Sequence, residues 1–132
     1  MTDSPEGPEE HDALARAFGR ACLAGDTEGL ASLLAADATA FFDGGGRVRA
    51  PARPVHGGRQ VAHTLLALLA RRPHPTLTPH SVNGRTGLVA RHGDQVATVI
   101  GLDVVDHRVT RVWVVLNPDK LRSWNPPPHG IR

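Results

Sequence analysis

Three polar side chains in this sequence could transfer protons: Asp43, His80 and Asp103. A carboxylate or an imidazole beside an apolar substrate can act as a general acid or base, and burial can move its pKa toward neutrality. Asp43 precedes three glycines, His80 lies in a predicted strand, and Asp103 interrupts a run of Val, Ile and Leu. These positions are therefore the candidate catalytic residues.

Each candidate also has a structural interpretation. An Asp before glycines commonly accepts hydrogen bonds from its own turn, so Asp43 is either a turn former or a displaced base that works with Arg47. His80 and, on a predicted helix, His63 are either proton shuttles or structural histidines. A structural histidine would be exposed on the surface or buried with its hydrogen bonds satisfied. Both interpretations stay open for each residue.

The orientation of Asp103 decides its role. A buried, inward-pointing carboxyl would be a candidate acid, because burial raises its pKa. Side chains alternate along a strand, and the alternation from Thr98 favours an outward Asp103. The segment Asn117–Leu121 is explained as the end of the last strand, with Asp119 pairing with Lys120 or an arginine.

Helices and strands must position these residues, and the spacing of apolar residues changes from helical to strand-like about halfway along the chain. Helical spacing is predicted for His11–Leu23, for a second helix that Asp26 or Thr27 caps, and for Arg59–Arg71. Strands are predicted for Ala38–Phe42, Thr76–Val82, Gly87–Arg91, Gln95–Asp106 and Val109–Leu116, with turns at Asn83-Gly84 and Asp106-His107. Helices followed by a meander predict an α+β fold with the helices on one face of the sheet.

The chain has the size of one domain, with 132 residues. Residues 1–10 are predicted to be a disordered leader, residues 11–122 the folded domain and residues 123–132 a loose tail. The lone Cys22 excludes an internal disulfide, and no Cys/His cluster has zinc spacing, so no metal site is predicted.

Composition excludes several classes of partner. The formal net charge is only +2, and the arginines are scattered rather than arranged in a basic stripe, so no nucleic-acid surface is predicted. The longest apolar run, Thr64–Ala70, is too short to cross a bilayer, so no membrane contact is predicted. The first residues do not have the pattern of a signal peptide, which predicts a cytoplasmic protein.

The order of the elements and their punctuation resemble the SnoaL-like, NTF2-like (ketosteroid isomerase-like) superfamily. The matching segments are residues 24–30, residues 34–39 and residues 54–57, which open the third helix. The resemblance covers residues 10–122. It implies an NTF2-like cone, in which three N-terminal helices pack on a curved, mostly antiparallel sheet around an apolar pocket.

A narrower resemblance involves Asp43–Val48, Val82–Gly84 with Gly87–Val89, and Asn117–Leu121. These segments are similar to the SnoaL-like C-terminal domain of extracytoplasmic-function sigma factors, where such motifs lie beside the pocket and regulate the sigma factor. The chain has no segment like the DNA-binding or polymerase-binding regions of a sigma factor. We therefore interpret it as a free-standing relative.

The resemblance also argues against the isomerase machinery of the superfamily. The tyrosine, base and protonated carboxyl of those enzymes fall on Phe18, Phe42 and a position near Thr98, so all three groups are replaced. If strand parity follows the family, the pocket is mostly apolar. Its predicted residues are Phe18, Phe42, Arg47, His63, Thr98, Val112, Val114 and Leu116.

Two functions are compatible with such a pocket. The first is a cofactor-independent cyclase, isomerase or epoxide-opening enzyme acting on a hydrophobic, polyketide- or terpenoid-like metabolite, with Asp43, His80 or Asp103 as acid or base. The alternative is a non-catalytic regulatory or ligand-sensing module whose partner is a sigma factor. Trp113, Val115 and Arg111 on the outer sheet face also predict a homodimer.

Overall fold

The computed structural model describes residues 7–71 and 76–125. Three helices pack on one face of a six-stranded sheet, which confirms the predicted α+β class. The helices are α1 (Pro8–Ala24), α2 (Thr27–Leu33) and α3 (Gly58–Leu69). The strands are β1 (Leu34–Asp43), β2 (Val55–His56), β3 (Thr76–Val82), β4 (Arg85–His92), β5 (Gln95–Val105) and β6 (Arg108–Val115).

The strand order is β2-β1-β6-β5-β4-β3. β1 and β6 run parallel, and the other neighbouring strands run antiparallel, so the sheet is mostly antiparallel as predicted. One detail differs, because β1 and β2 precede α3 and the helices are therefore not all N-terminal to the sheet. Because they run parallel, β1 and β6 have their C-terminal ends at the same end of the sheet.

The two predicted hairpin turns are present, with backbone geometry typical of tight hairpins. Asn83 and Gly84 have φ angles of 53° and 82°, and Asp106 and His107 have φ angles of 53° and 64°. Two successive positive φ angles match the right-handed twist of the flanking strands. These turns fix the register of β3 with β4 and of β5 with β6.

The core lies between the helices and the inner face of the sheet. Phe18 of α1 and Leu65 of α3 have no exposed surface, and they belong to one cluster with Leu88, Ile100 and Val112 of three neighbouring strands. Alternation along each strand sends these side chains inward. An aliphatic core follows from a composition of 40% hydrophobic but only 4% aromatic residues.

The domain extends beyond both predicted boundaries. α1 begins at Pro8, so residues 8–10 are helical rather than part of a leader. Proline is well suited to the first turn of a helix, and the carboxylates of Glu9 and Glu10 interact favourably with the positive N-terminal end of the helix dipole. At the other end, the side chain of Asn125 accepts from the Val96 N–H at 2.7 Å and donates to its carbonyl at 3.0 Å. Residues 123–125 are therefore docked on the sheet. The remaining leader and tail residues, 1–6 and 126–132, lie outside the described residues.

The outer face of the sheet is partly covered by the chain itself. Leu121 is only 3% exposed and packs on Val89, Val96 and Val99. Val115, predicted to be exposed on this face, is half-buried beside the same cluster. None of the described helices is long and apolar enough to cross a membrane.

Candidate functional site

A group of polar contacts among the described residues joins two segments that are far apart in the sequence. We call Asp43–Val48 the glycine loop and Asn117–Leu121 the C-terminal motif. β1 ends at Asp43 beside Val115 of β6, and the Leu116 N–H donates to the Asp43 carbonyl at 2.8 Å. The parallel pairing of β1 and β6 therefore places the glycine loop directly against the C-terminal motif.

The side chain of Asp43 holds this contact together. Its Oδ1 accepts from the Gly45 N–H at 3.0 Å and from Asn117 Nδ2 at 3.5 Å, and its Oδ2 lies 2.6 Å from Lys120 Nζ. The hydrogen bond from Lys120 holds the pKa of Asp43 below its usual value. A base must be poised to accept a proton near the working pH. Asp43 has the geometry of the turn former and not that of a base aimed into the cone.

One glycine lets the glycine loop fold tightly on itself, and the next lets it approach the C-terminal motif. A Cβ at Gly44, which is buried, would collide with the carbonyl oxygen of Val48. Gly45 has a φ of 63°, and a Cβ there would overlap the side chain of Asn117. Glycine is required at both positions for close packing, and at Gly45 for the backbone conformation as well.

A second set of charges surrounds this contact on the surface. Asp119 Oδ1 accepts from Arg47 Nη1 at 3.3 Å and from Arg122 Nη2 at 2.9 Å. The Asp119 N–H donates to Asn117 Oδ1 at 3.1 Å, which closes a local turn. The Arg47 side chain is 62% exposed, so this predicted pocket residue lies on the surface and not in the cone. Exposed ion pairs contribute little stability singly, and their importance here is positional.

The apolar residues predicted to line the cone do come together, as a packed core. Phe18 and Val112 are 0% exposed and Val114 is 1% exposed. Side chains without accessible surface cannot border a cavity large enough for water, so in this conformation they fill the cone. Thr98 and Leu116 are also buried, and Phe42 is half-buried against the same cluster.

The three candidate acids and bases do not meet. Asp103 lies on the outer face of β5 opposite Arg111, whereas Asp43 lies on β1 beside Val115. Four residues along β6 and two strand spacings separate them, which together make roughly 16 Å. His80 is exposed on β3, which three strands separate from β1 by about 19 Å in all, and its ring contacts Trp124 at 5.2 Å between centroids. The structure therefore assembles no proton-transfer pair from these residues.

His63, a predicted pocket residue, is likewise exposed on α3 and lies outside the cone. The outward orientation of Asp103 agrees with the alternation counted from Thr98, since its neighbours Leu102 and Val104 are the buried ones. Its Oδ2 accepts from Trp113 Nε1 at 3.1 Å.

The ion pair between Asp43 and Lys120 was not predicted from the sequence. The sequence predicts Asp43 with Arg47 and Asp119 with Lys120 or an arginine, whereas the structure pairs Asp43 with Lys120 and Asp119 with two arginines. The sequence carries one sign of this contact, because both segments belong to the resemblance to the C-terminal domain of sigma factors. Spacing could not reveal the contact, because the pairing of β1 with β6 creates it.

Comparisons with known proteins agree on the fold. No family model matches the sequence, and no curated protein matches it either. Among solved structures, the chain is similar to SigJ, an extracytoplasmic-function sigma factor of Mycobacterium tuberculosis, with a TM-score of 0.66 and 27% identity over 83% of this chain. The match covers 43% of SigJ, so the chain spans less than half the length of that sigma factor.

Two further structures extend the comparison. An NTF2-like protein of unknown function from Mesorhizobium loti matches 89% of this chain and 99% of its own length, with a TM-score of 0.60 and 16% identity. A de novo designed protein with a curved β-sheet matches 86% of this chain and 90% of its own length, with a TM-score of 0.64 and 14% identity. A fold that can be designed implies no particular activity. On these similarities and its own topology, the chain has an NTF2-like, SnoaL-like fold.

Proposed function

We propose that this chain is a non-catalytic regulatory module that acts on a sigma factor, either within one polypeptide or as a separate partner. The observation that carries the proposal is the 2.6 Å ion pair between Asp43 and Lys120. It joins the two segments that resemble the regulatory motifs of sigma-factor domains. The glycine loop and the C-terminal motif thereby form one surface on which a partner could act.

The exposure of this surface supports the proposal. The side chains of Arg47 and Lys120 are 62% and 65% exposed, and those of Asp119 and Arg122 are 52% and 79% exposed. A partner that bonds with Lys120 would compete with Asp43, and the loop would lose the contact that holds it to the C-terminal motif. The surface is thus both accessible and sensitive to a competing charge.

The alternative, a cyclase or isomerase for a hydrophobic metabolite, remains a prediction. It would need the packed cone to open and one of Asp43, His80 or Asp103 to reach the substrate. The positions of these residues outside the cone favour the regulatory proposal. Measured turnover of a hydrophobic metabolite by the purified chain would favour the enzyme instead.

A charge swap tests the regulatory proposal. Transcription by RNA polymerase would be measured in vitro with the sigma-factor regions encoded with this chain, in the same polypeptide or by a neighbouring gene. Asp43→Lys and Lys120→Asp should each abolish the effect of the chain on transcription. The double variant, which restores the ion pair but not the hydrogen bond from the Gly45 N–H, should restore part of it. Arg59→Glu is the matched control, because the Arg59–Glu28 pair is also 2.6 Å long, is exposed, and joins α3 to α2.

The proposal fails if the wild-type chain has no effect on transcription or if no sigma factor is encoded with it. It also fails if both single variants regulate as well as the wild type. Circular dichroism of each variant separates loss of regulation from loss of the fold.

A further inference from the structure

The outer face of the sheet has an uncovered region next to the residues that the C-terminal segment covers. Phe41, Trp113 and Gly101 lie side by side across β1, β6 and β5. Trp113 is 41% exposed there, although it is one of only two tryptophans in the chain. The indole therefore presents a flat aromatic surface to solvent on this face.

Two glycines shape a trough beside this indole. At Gly87, a Cβ would lie 2.7 Å from Val82 Cγ2, so the missing side chain lets Val82 fold over from the edge strand. At Gly101, the nearest side-chain atoms to a Cβ would be Val82 Cγ1 at 3.6 Å and Trp113 Cβ at 3.9 Å. Gly101 is therefore the floor of a cavity of about 180 Å³, with Val82 and Trp113 as its walls.

The indole of Trp113 is held in place as a wall. Phe41 stacks on it with 4.3 Å between ring centroids and 15° between the planes. Its Nε1–H donates to Asp103 Oδ2 at 3.1 Å. Since Phe41 occupies one face and Asp103 fixes the edge, the side that borders the trough is available to a flat ring. Aromatic rings prefer such offset stacking over an immobilised partner.

The rim of the trough carries one arginine, Arg85, and one aspartate, Asp103. Arg85 Nη1 is 4.0 Å from Asp103 Oδ1, at the limit of an ion pair, and its side chain is 55% exposed. Arg111 lies opposite Asp103 and forms no ion pair within the described ranges 7–71 and 76–125. Asp103 already accepts from Trp113, and Asp37 lines the neighbouring cavity with Arg111. Because Asp103 is engaged by Trp113 and lies only at the limit of an ion pair with Arg85, the Arg85 guanidinium keeps donors for a bound anion.

The size of the cavity limits the ligand. Its volume is about 180 Å³. This is room for one aromatic ring with a small substituent. A guanidinium binds a carboxylate through two parallel hydrogen bonds, which a point charge cannot do.

From these features we propose a binding site for a one-ring aromatic carboxylate on the outer face of the sheet. The ring stacks on Trp113 above Gly101, and the carboxylate pairs with Arg85. Binding is non-covalent and independent of the regulatory surface at Asp43 and Lys120. The site is also separate from the apolar cone on the other side of the sheet.

Fluorescence of Trp113 provides a direct test. In the Trp124→Phe variant, Trp113 is the sole tryptophan and the chain has no tyrosine. Titration with benzoate should give a saturable change in fluorescence. Acetate, which lacks the ring, and benzamide, which lacks the charge, should each bind at least tenfold more weakly.

Two variants test the walls and the charge. Gly101→Ala adds a methyl group to the floor in ordinary van der Waals contact, so the fold should persist while benzoate affinity falls at least tenfold. Arg85→Gln should reduce affinity for benzoate at least tenfold and leave binding of benzamide unchanged. Arg16→Gln on α1 is the matched control and should keep wild-type affinity.

Several results would overturn the proposal. They are a titration with benzoate that shows no saturable change, equal responses to benzoate and benzamide, and wild-type affinity in both Gly101→Ala and Arg85→Gln. A dimer in which acrylamide no longer quenches Trp113 would also overturn it, because the trough would then be buried.

Discussion

The carboxylate of Asp43 and the ammonium of Lys120 lie 2.6 Å apart, although 77 positions of the chain separate the two residues. The contact exists because β1 and β6 are parallel neighbours whose C-terminal ends lie side by side. In this arrangement Asp43 makes the contacts of a residue that holds the glycine loop, with Lys120 and with the Gly45 N–H. The first two predictions follow from these contacts.

Replacing Asp43 distinguishes the structural role from a catalytic one. Asp43→Asn keeps an acceptor for the Gly45 N–H but removes the charge that pairs with Lys120, whereas Asp43→Ala removes both. We expect the melting temperature to fall in the order wild type, Asn, Ala. If a substrate is found, turnover by the Asn variant should stay near wild type; a loss of about 10²-fold or more would identify Asp43 as a general base after all.

The stability conferred by Asp43 should depend on pH in one direction. Its pKa is lowered in the folded state, chiefly by the hydrogen bond from Lys120. The stabilisation is therefore present above the unfolded pKa of about 3.9 and is lost as pH falls through the lower folded pKa. Thermal melts of wild type and Lys120→Met should differ at pH 6 and converge below about pH 3. A difference that grows on acidification would contradict this assignment.

Replacing the adjacent Gly45 and Gly46 by alanine should lower the free energy of unfolding by unequal amounts. Gly45 and Gly46 both have positive φ angles, 63° and 75°, so each substitution incurs a backbone cost of about 1–2 kcal/mol. Only at Gly45 would the new Cβ also overlap Asn117, whereas no atom lies within 4 Å of a Cβ at Gly46. Urea denaturation should therefore show a larger loss for Gly45→Ala than for Gly46→Ala. Equal losses would mean that the loop does not need its contact with Asn117.

The single cysteine should be unreactive in the folded protein. Burial raises the pKa of the Cys22 thiol to about 12, so at pH 8 the reactive thiolate is scarce. Labelling by a disulfide reagent at pH 8 should follow the rate of unfolding and become fast in urea. Because the folded pKa is raised, the Cys22 thiol should also favour folding less as pH rises above the unfolded pKa of about 8.5. Rapid labelling without denaturant would show that α1 opens locally.

The predicted homodimer and the proposed ligand trough use the same face and make opposite predictions. The apolar patch is smaller than the sequence indicated, because Val115 lies beside the covering Leu121 cluster, which leaves Trp113 and Val105 as its exposed large side chains. A stable interface needs about 800 Å² from each partner. With the ligand trough we expect a monomer by light scattering at micromolar concentration, with Trp113 open to quenching. A dimer would support the earlier prediction instead.

Local patterns in the sequence are enough to predict the class of fold and most of its elements. Helical and strand periodicities depend on local spacing, so α1, α3 and β3–β6 are close to their predicted positions, and Asn83-Gly84 marks its hairpin correctly. The outward orientation of Asp103 also followed from alternation alone. The ends were less predictable, because Asn125 is ordered by the backbone of Val96, which is distant in the sequence.

The grouping of the polar residues depends on how distant strands pair. Strand order places Asp43 beside Lys120 and separates it from His80, and no local pattern contains that order. The same holds for the trough. Gly101 forms its floor because strand pairing places Trp113 on one side of it and Val82 on the other. Sequence spacing specifies which face a side chain occupies, whereas the identity of its neighbour depends on how distant strands pair.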